Sequence, residues 1–395
     1  MQSDFVFSSE SVTAAHPDKV CDQISDALVD RYLRQDPGAR VSAECAVSTG
    51  IVFLSVKAAS TASVDAPACA REVLRHVGYS ADGGFDARSC TVMTSLHDLP
   101  SEVYPRLLEE ELDDDALQQL GARDQATVFG FACDDTPEGM PLPIWCAHRL
   151  ARKLAEQQKL IPYLSPDGKV QVAISYRDRR PVRLHSVSVI ACQRERHRPS
   201  PRALSEEVRA RVVDAAFADS PLALDGHVHV SINPDGPIAP GGPALHAGLT
   251  GRKTAVDGYG DFGRHGSAAL SGKDPSRIDR IGSYAARYVA RNVVAAGLAK
   301  RCEVQLSYSI GLAQPVSILV ETFGTGKLDD AALALRIGRV FELRPAGIVR
   351  DFKLRTLPTR HAGTFYQHLS AYGHVGRTDM ELPWEATDRV EALLG

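Results

Sequence analysis

The run His16-Pro17-Asp18-Lys19 sets an imidazole, a carboxylate and an ammonium at the start of a helix-like segment. Unpaired N–H groups and the dipole at such a start already favour phosphate, although a plain capped surface helix is the competing reading. A second concentration lies at Gly248-Leu-Thr-Gly-Arg252-Lys253-Thr, where two cations follow two flexible glycines. It runs on into Gly258-Tyr-Gly260-Asp-Phe-Gly263-Arg264-His265-Gly266. The letters GYGDFG imitate a dinucleotide fingerprint, but no long strand leads into them and no helix follows, so the match reads as accidental. Ser271-Gly-Lys273-Asp-Pro-Ser-Arg277-Ile-Asp279 imitates a phosphate loop. The gap from Gly266 to Gly272 is too long for that loop, and Asp274 stands in its Ser/Thr place. Asp18 and Asp279 suit magnesium, which takes one or two carboxylates together with phosphate oxygens and water. Each aspartate taken singly reads as a solvated surface charge, and Lys169, in the turn Pro166-Asp-Gly-Lys169, as an ordinary turn lysine.

These residues need elements to hold them. Residues 18–34 carry Val20, Ile24, Ala27, Leu28 and Tyr32 at helical spacing, with Pro17 in the first turn and His16 at the N-cap. Further helices are expected over Ala66–Val77, from about Ile144 to Gln158, and over Ser205–Ala218, Ser283–Leu298 and Asp329–Val340. Alternation marks strands within Val41 to Leu54, at His227–Ile232 and at Glu303–Ile310, the last followed by Pro315–Val320 as a hairpin partner. Strands and helices recur three times, an α+β chain of three similar units. The turns near Pro100, at Asp113–Asp115 and at Asn233–Pro243 divide it into 4–100, 114–232 and 233–388.

Composition excludes several classes. A net charge of −4 gives no basic footprint for a nucleic-acid backbone. Eight scattered cysteines show no CxxC and no metal-ligand spacing, and they read as reduced thiols. The start MQSDFVFSSESV lacks a basic and an apolar region, and no stretch is long and apolar enough to span a membrane. A soluble cytoplasmic protein is the expectation.

The pieces FSSESVTAAHPDKVCDQISDAL, DQATVFGFA, MPLPIWCAHRLARKL, GLTGRKTAVDGYG, SGKDPSRIDR and SYAARYVARNVVAAGLAKRCEVQLSYSIGLAQPVSILVETFGTGK follow one another in this order, and SAYGHVGR and LPWE close the series. From Phe7 to about Asp388 the chain resembles the S-adenosylmethionine synthetase (methionine adenosyltransferase) family. The resemblance implies three α+β domains about a pseudo-threefold axis, and a homodimer or tetramer with active sites between subunits. It also implies that a thioether sulfur attacks C5′ of ATP, and that the released tripolyphosphate is then cleaved to pyrophosphate and phosphate. Two Mg²⁺ and a K⁺ assist. By residue-wise match, His16 meets the triphosphate, while Lys169, Arg252, Lys253 and Lys273 clamp phosphate, with Lys19 beside them. Asp18 and Asp279 hold magnesium, and Glu44 matches the potassium-site glutamate. Asp124 lies near ribose and acceptor, and Ile310 beside adenine.

The acceptor half departs from the family pattern. Lys57 stands where a glutamate is expected, and His246 where an aspartate is expected, so two carboxylates for a substrate ammonium are missing. Leu99 in Leu99-Pro100-Ser101-Glu102-Val103 replaces a glutamine, although a shift of one residue brings Asp98 there. Arg277 replaces a lysine, which keeps charge for a carboxylate but changes reach. Ile238 replaces an adenine-stacking phenylalanine after Pro237, and Ala15, Arg123, Ala126 and Ala268 replace glycines. Two readings stay open: methionine is retained, with Asp98 or Glu102 taking the ammonium, or the acceptor is another small carboxylate lacking it. A homologue that only cleaves polyphosphate or binds nucleotide is a third.

Overall fold

The computed structural model describes residues 4–79, 84–100, 104–196 and 198–395. Among these are eleven strands: β1 Phe5–Val12, β2 Arg40–Ser48, β3 Ile51–Ala59, β4 Thr91–Asp98, β5 Ala126–Cys133, β6 Leu164–Arg177, β7 Arg180–Gln193, β8 His229–Ile232, β9 Gly248–Leu249, β10 Arg301–Tyr308 and β11 Ser317–Glu321. The principal helices are α1 Pro17–Gln35, α2 Ala66–His76, α3 Leu142–Gln158, α4 Pro201–Val208, α5 Ile278–Ala295, α6 Asp330–Val340 and α7 Pro345–Phe352.

Three sheets follow one plan, in the orders β9-β2-β3-β4, β1-β6-β7-β8 and β5-β10-β11. Each is centred on an antiparallel hairpin, β2/β3, β6/β7 or β10/β11. Each hairpin's first strand is flanked by an antiparallel strand from another part of the chain. Two sheets add a parallel strand on the other edge. One long helix covers each sheet: α1 on β2, α3 on β6 and β1, and α5 on β5 and β10. The reason is periodicity, since Val41, Ala43, Cys45 and Val47 alternate inward from β2 to meet Val20, Ile24, Ala27 and Leu28 of α1, all buried. This is the α+β architecture of three alike units.

The guest strands position the chemistry. β1 ends at Val12, four residues before His16. β9 ends at Leu249, just ahead of Arg252 and Lys253, and β5 begins two residues after Asp124. The pairing of β1 with β6 sets Val12 opposite Lys169, and Thr13 N–H donates to Gly168 O at 3.0 Å. Because each guest strand belongs to a sheet remote in sequence, these segments meet only in the assembled fold.

Several expected boundaries move. The helix expected at Ser283 begins at Ile278, because Arg280 and Gly282, which interrupt the apolar pattern, are both buried. The helix expected over Ser205–Ala218 begins at Pro201 behind a Ser200 cap and widens into π-type turns over Arg209–Asp214. His227 lies in a turn before β8, its N–H donating to Asp225 Oδ1 at 2.8 Å. The hairpin β10/β11 is present, with Glu303 opposite Glu321. All eight cysteines are buried free thiols. No helix among the described residues is long and apolar enough to cross a membrane.

Candidate active site

Helix α1 organises the site. His16 caps it, its Nδ1 accepting from Asp18 N–H at 3.2 Å. Asp18, Asp22, Asp26 and Asp30 then recur every fourth residue on one stripe and are all buried. Each accepts backbone N–H groups from a distant segment: Asp18 from Leu249 at 3.0 Å, Asp22 from Gly251 at 2.8 Å, Asp26 from Gly272 at 2.8 Å, and Asp30 from Tyr366 and Gln367 at 3.0 and 2.9 Å. The stripe thus ties the loops carrying Arg252, Lys253 and Lys273 to the helix. Arg280, fully buried, forks onto Asp26 with both contacts at 2.8 Å and donates to Lys273 O at 2.8 Å.

Lys19, expected among the ATP-binding residues, points inward instead. It is 1% exposed and paired with Asp22 at 2.8 Å and with Asp257. With one cation between two buried carboxylates, burial pushes Asp257 up to about 7 even though Lys19 opposes it. Enclosure by these two carboxylates leaves the Lys19 ammonium no exposed face toward a phosphate.

Around Asp18 the expected cations do assemble. Lys253 Nζ donates to Asp18 Oδ2 at 2.5 Å and Arg252 Nε lies 3.8 Å from Oδ1. Burial alone raises the Asp18 carboxyl, but the Lys253 hydrogen bond and charge bring it below its ordinary range. Lys169 pairs with Glu10 at 2.6 Å. Burial, then Lys253, push the His16 ring down to about 3, with His246 and Lys169 adding to the effect against Asp18. The ring is therefore neutral near neutral pH. With Nδ1 accepting a backbone N–H, its proton sits on Nε2 as a donor.

Asp167 was read in the sequence only as part of a turn. It is buried, accepts Gly242 N–H at 2.8 Å, and lies 3.8 Å from His246 Nε2. His246 in turn sits 5.1 Å, ring to ring, from His16. Nothing local separates a buried turn aspartate from a solvated one, so its neighbour Lys169 was the available signal. Among the described residues, His16, Asp167 and His246 offer ligand-type atoms within 4.8 Å of one another. Metal on the His16 Nε2 atom would force the ring proton onto Nδ1, against the Asp18 N–H, so the tautomer disfavours a metal there.

A second group gathers at the start of α5. Lys273 Nζ donates to Asp279 Oδ2 at 2.6 Å, and Arg277 pairs with Asp124 at 3.0 Å. Ile310, 61% exposed, bridges to Ala122 beside Asp124. A cavity of about 230 Å³ opens beside Asp279, lined by that residue and Ser283 together with Thr254 and Asp257.

Other expected residues lie apart from this assembly. Glu44 and Lys57 share the outward face of their sheet, in register with Ser55 and His97 respectively, while α1 covers the opposite face. Ile238 is half-buried, its carbonyl accepting Gln193 N–H at 2.8 Å. Leu99 extends β4, donating to Ala58 O at 2.8 Å, whereas the rest of its expected motif, residues 101–103, lies outside the described residues.

Comparison with known proteins gives a consistent answer. The sequence matches the S-adenosylmethionine synthetase N-terminal domain over residues 4–100, the central domain over 119–238 and the C-terminal domain over 240–386. It is 48% identical over 405 residues to the S-adenosylmethionine synthase of Synechococcus sp. (strain JA-3-3Ab), covering 98% of this chain and 97% of that protein. It is 47% identical over 407 residues to that of Acaryochloris marina (strain MBIC 11017), covering 100% and 97%. With all three domains matched in order along nearly its whole length, this chain belongs to the S-adenosylmethionine synthetase family.

Proposed function

We propose that the chain is an ATP-dependent adenosyltransferase. A nucleophile attacks C5′ of ATP, the C5′–O bond breaks with its electron pair passing to the triphosphate, and water then hydrolyses the released tripolyphosphate to pyrophosphate and phosphate. The observation that carries this reading is the set of cations held in reserve on carboxylates: Lys253 and Arg252 on Asp18, Lys169 on Glu10, and Lys273 on Asp279. A polyphosphate offers those lysines a stronger partner. The neutral His16 ring adds a hydrogen-bond donor at the same place, and charge growing on the leaving oxygen is stabilised by donors already oriented.

The donor set also fits Mg²⁺. Asp18 and Asp279 would each contribute carboxylate oxygens once their lysines turn to phosphate, matching a cation that binds through few carboxylates plus phosphate and water. When bound, it supplies charge neutralisation along the polyphosphate. K⁺ at Glu44 would need further oxygens from outside its sheet. Glu44 and Lys57 face away from α1, so they belong to a nucleotide site only if a second copy contributes it, which favours a homo-oligomer with shared sites.

The acceptor is methionine or a methionine-like carboxylate. A carboxylate acceptor would compete with Asp124 for Arg277. A specific observation favours an acceptor without an ammonium: the places expected to hold carboxylates present an exposed Lys57, and a His246 that lies against His16. Incubation with ATP, Mg²⁺ and K⁺, with methionine or with keto- and hydroxy-acid thioethers, followed by mass spectrometry, tests both readings. S-adenosylmethionine at a substantial rate establishes methionine, and an adduct only with the thioether acids establishes the changed acceptor. Tripolyphosphate hydrolysis with no adenosylated product refutes the transferase.

A further inference from the structure

Behind the segments that present His16 and Lys169 lies a separate cavity of about 710 Å³, a volume typical of small-molecule sites. Thr13–Ala15 and Pro166 form one wall, and α3 with the C-terminal segment 367–380 forms the others. None of Asp18, Lys253, Lys273 or Asp279 lines it. Among the described residues its lining sets the cations Arg152, Lys159 and Arg377 against the carboxylate of Asp379. Arg377 takes that carboxylate in a fork, both contacts at 2.7 Å, and also donates to Ala371 O at 2.6 Å. Arg152 reaches the same carboxylate only at 3.3 Å, with its guanidinium 5.1 Å over the Tyr372 ring. Lys159, exposed at the mouth, forms no ion pair among the described residues. Burial and then Arg377 hold Arg152 below its ordinary value, and burial, His76 and Arg377 do the same to His368.

We infer that this cavity is a second, non-catalytic site for a small multiply charged oxyanion, held by Arg152 and Lys159 over the Tyr372 ring. Such a ligand supplies the charge that Asp379 alone does not, and Arg152 can donate to it without releasing the aromatic face. Occupancy also bears on catalysis geometrically. The Tyr372 hydroxyl accepts Ala14 N–H at 3.3 Å, and Gln23 donates to Ala14 O at 2.5 Å, so the ligand packs against the two residues before His16.

The test is calorimetric titration of inorganic pyrophosphate into full-length protein carrying Lys253→Ala and Lys273→Ala, which removes phosphate cations from the first site. The same titration follows with Lys159→Glu or Arg152→Met added, and citrate in parallel separates phosphate from carboxylate preference. Saturable binding is expected in the background protein, weakened about tenfold or more by either added change. Absence of binding in the background, or binding indifferent to Lys159→Glu, overturns the proposal. Lys159 is exposed, so its variant decides the matter even if Arg152→Met disturbs folding.

Discussion

Asp26→Ala tests the claim that the acidic stripe of α1 holds the phosphate loops in place. Asp26 and Arg280 are both 0% exposed and joined by two contacts of 2.8 Å. Asp26 also takes the Gly272 N–H, in a loop pressed so closely on β2 that a Cβ at Gly272 would lie 1.9 Å from Ala43 O. Removing the carboxylate leaves a buried guanidinium without its counter-charge and a backbone donor without an acceptor. Breaking one side of a buried pair costs about 3–5 kcal/mol, a large share of the roughly 5–15 kcal/mol that stabilises a protein. Urea unfolding should show the midpoint fall accordingly, with amide exchange accelerated first at Gly272 and Lys273. Because Arg280 also donates to Lys273 O, ATP turnover should fall in the same variant. Replacing both partners, as Asp26→Leu with Arg280→Met, should recover much of the stability, since an apolar pair leaves no orphaned charge. An Asp26→Ala unfolding free energy within about 0.5 kcal/mol of the parent, the range of a surface change, refutes the reasoning.

Other expectations follow from the same geometry. His148 is buried, bonded to Ser11 at 2.9 Å, and held well below its ordinary value first by burial and then by Arg152 and Arg377. The unfolded chain therefore takes that proton first. The His148 contribution is complete above about pH 6.5 and drains away below it by up to about 1.4 kcal/mol per pH unit. Urea midpoints from about pH 7 to about pH 5 should decline less steeply in His148→Gln. Gly130→Ala places a Cβ 2.0 Å from the Ala286 backbone where α5 crosses β5, so stability should drop by about 3 kcal/mol or more, read by thermal melting. Lys253→Ala should lower kcat by about a hundredfold or more while leaving the fold intact, checked by single-turnover kinetics. Lys57→Glu with His246→Asp should raise turnover of methionine relative to the ammonium-free acids, and an unchanged ratio would place specificity elsewhere.

Much was legible locally because local spacing determines which residues share a face. Pro17, His16 and the apolar spacing located α1 closely, and alternation paired β10 with β11 as a hairpin. The cations of GLTGRK and SGKDP were recognisable from residue type alone. The stripe Asp18, Asp22, Asp26 and Asp30 is absent from the sequence reading, because carboxylates at helical spacing resemble a solvated face. It is buried because β9 and the Gly272 loop, more than two hundred residues away, bring N–H groups and Arg280 against it. The same holds for Lys19 and Lys57, both lysines at helix- or strand-compatible positions. One is enclosed by Asp22 and Asp257, and the other lies on the sheet face that α1 does not cover. Sequence alone therefore located the long helices and the β10/β11 hairpin, the family resemblance and the chemical types at the site. Which face of each element is buried, and which distant carboxylate each cation meets, was decided only when strands from separate parts of the chain joined common sheets, because those contacts are non-local and leave no periodic trace.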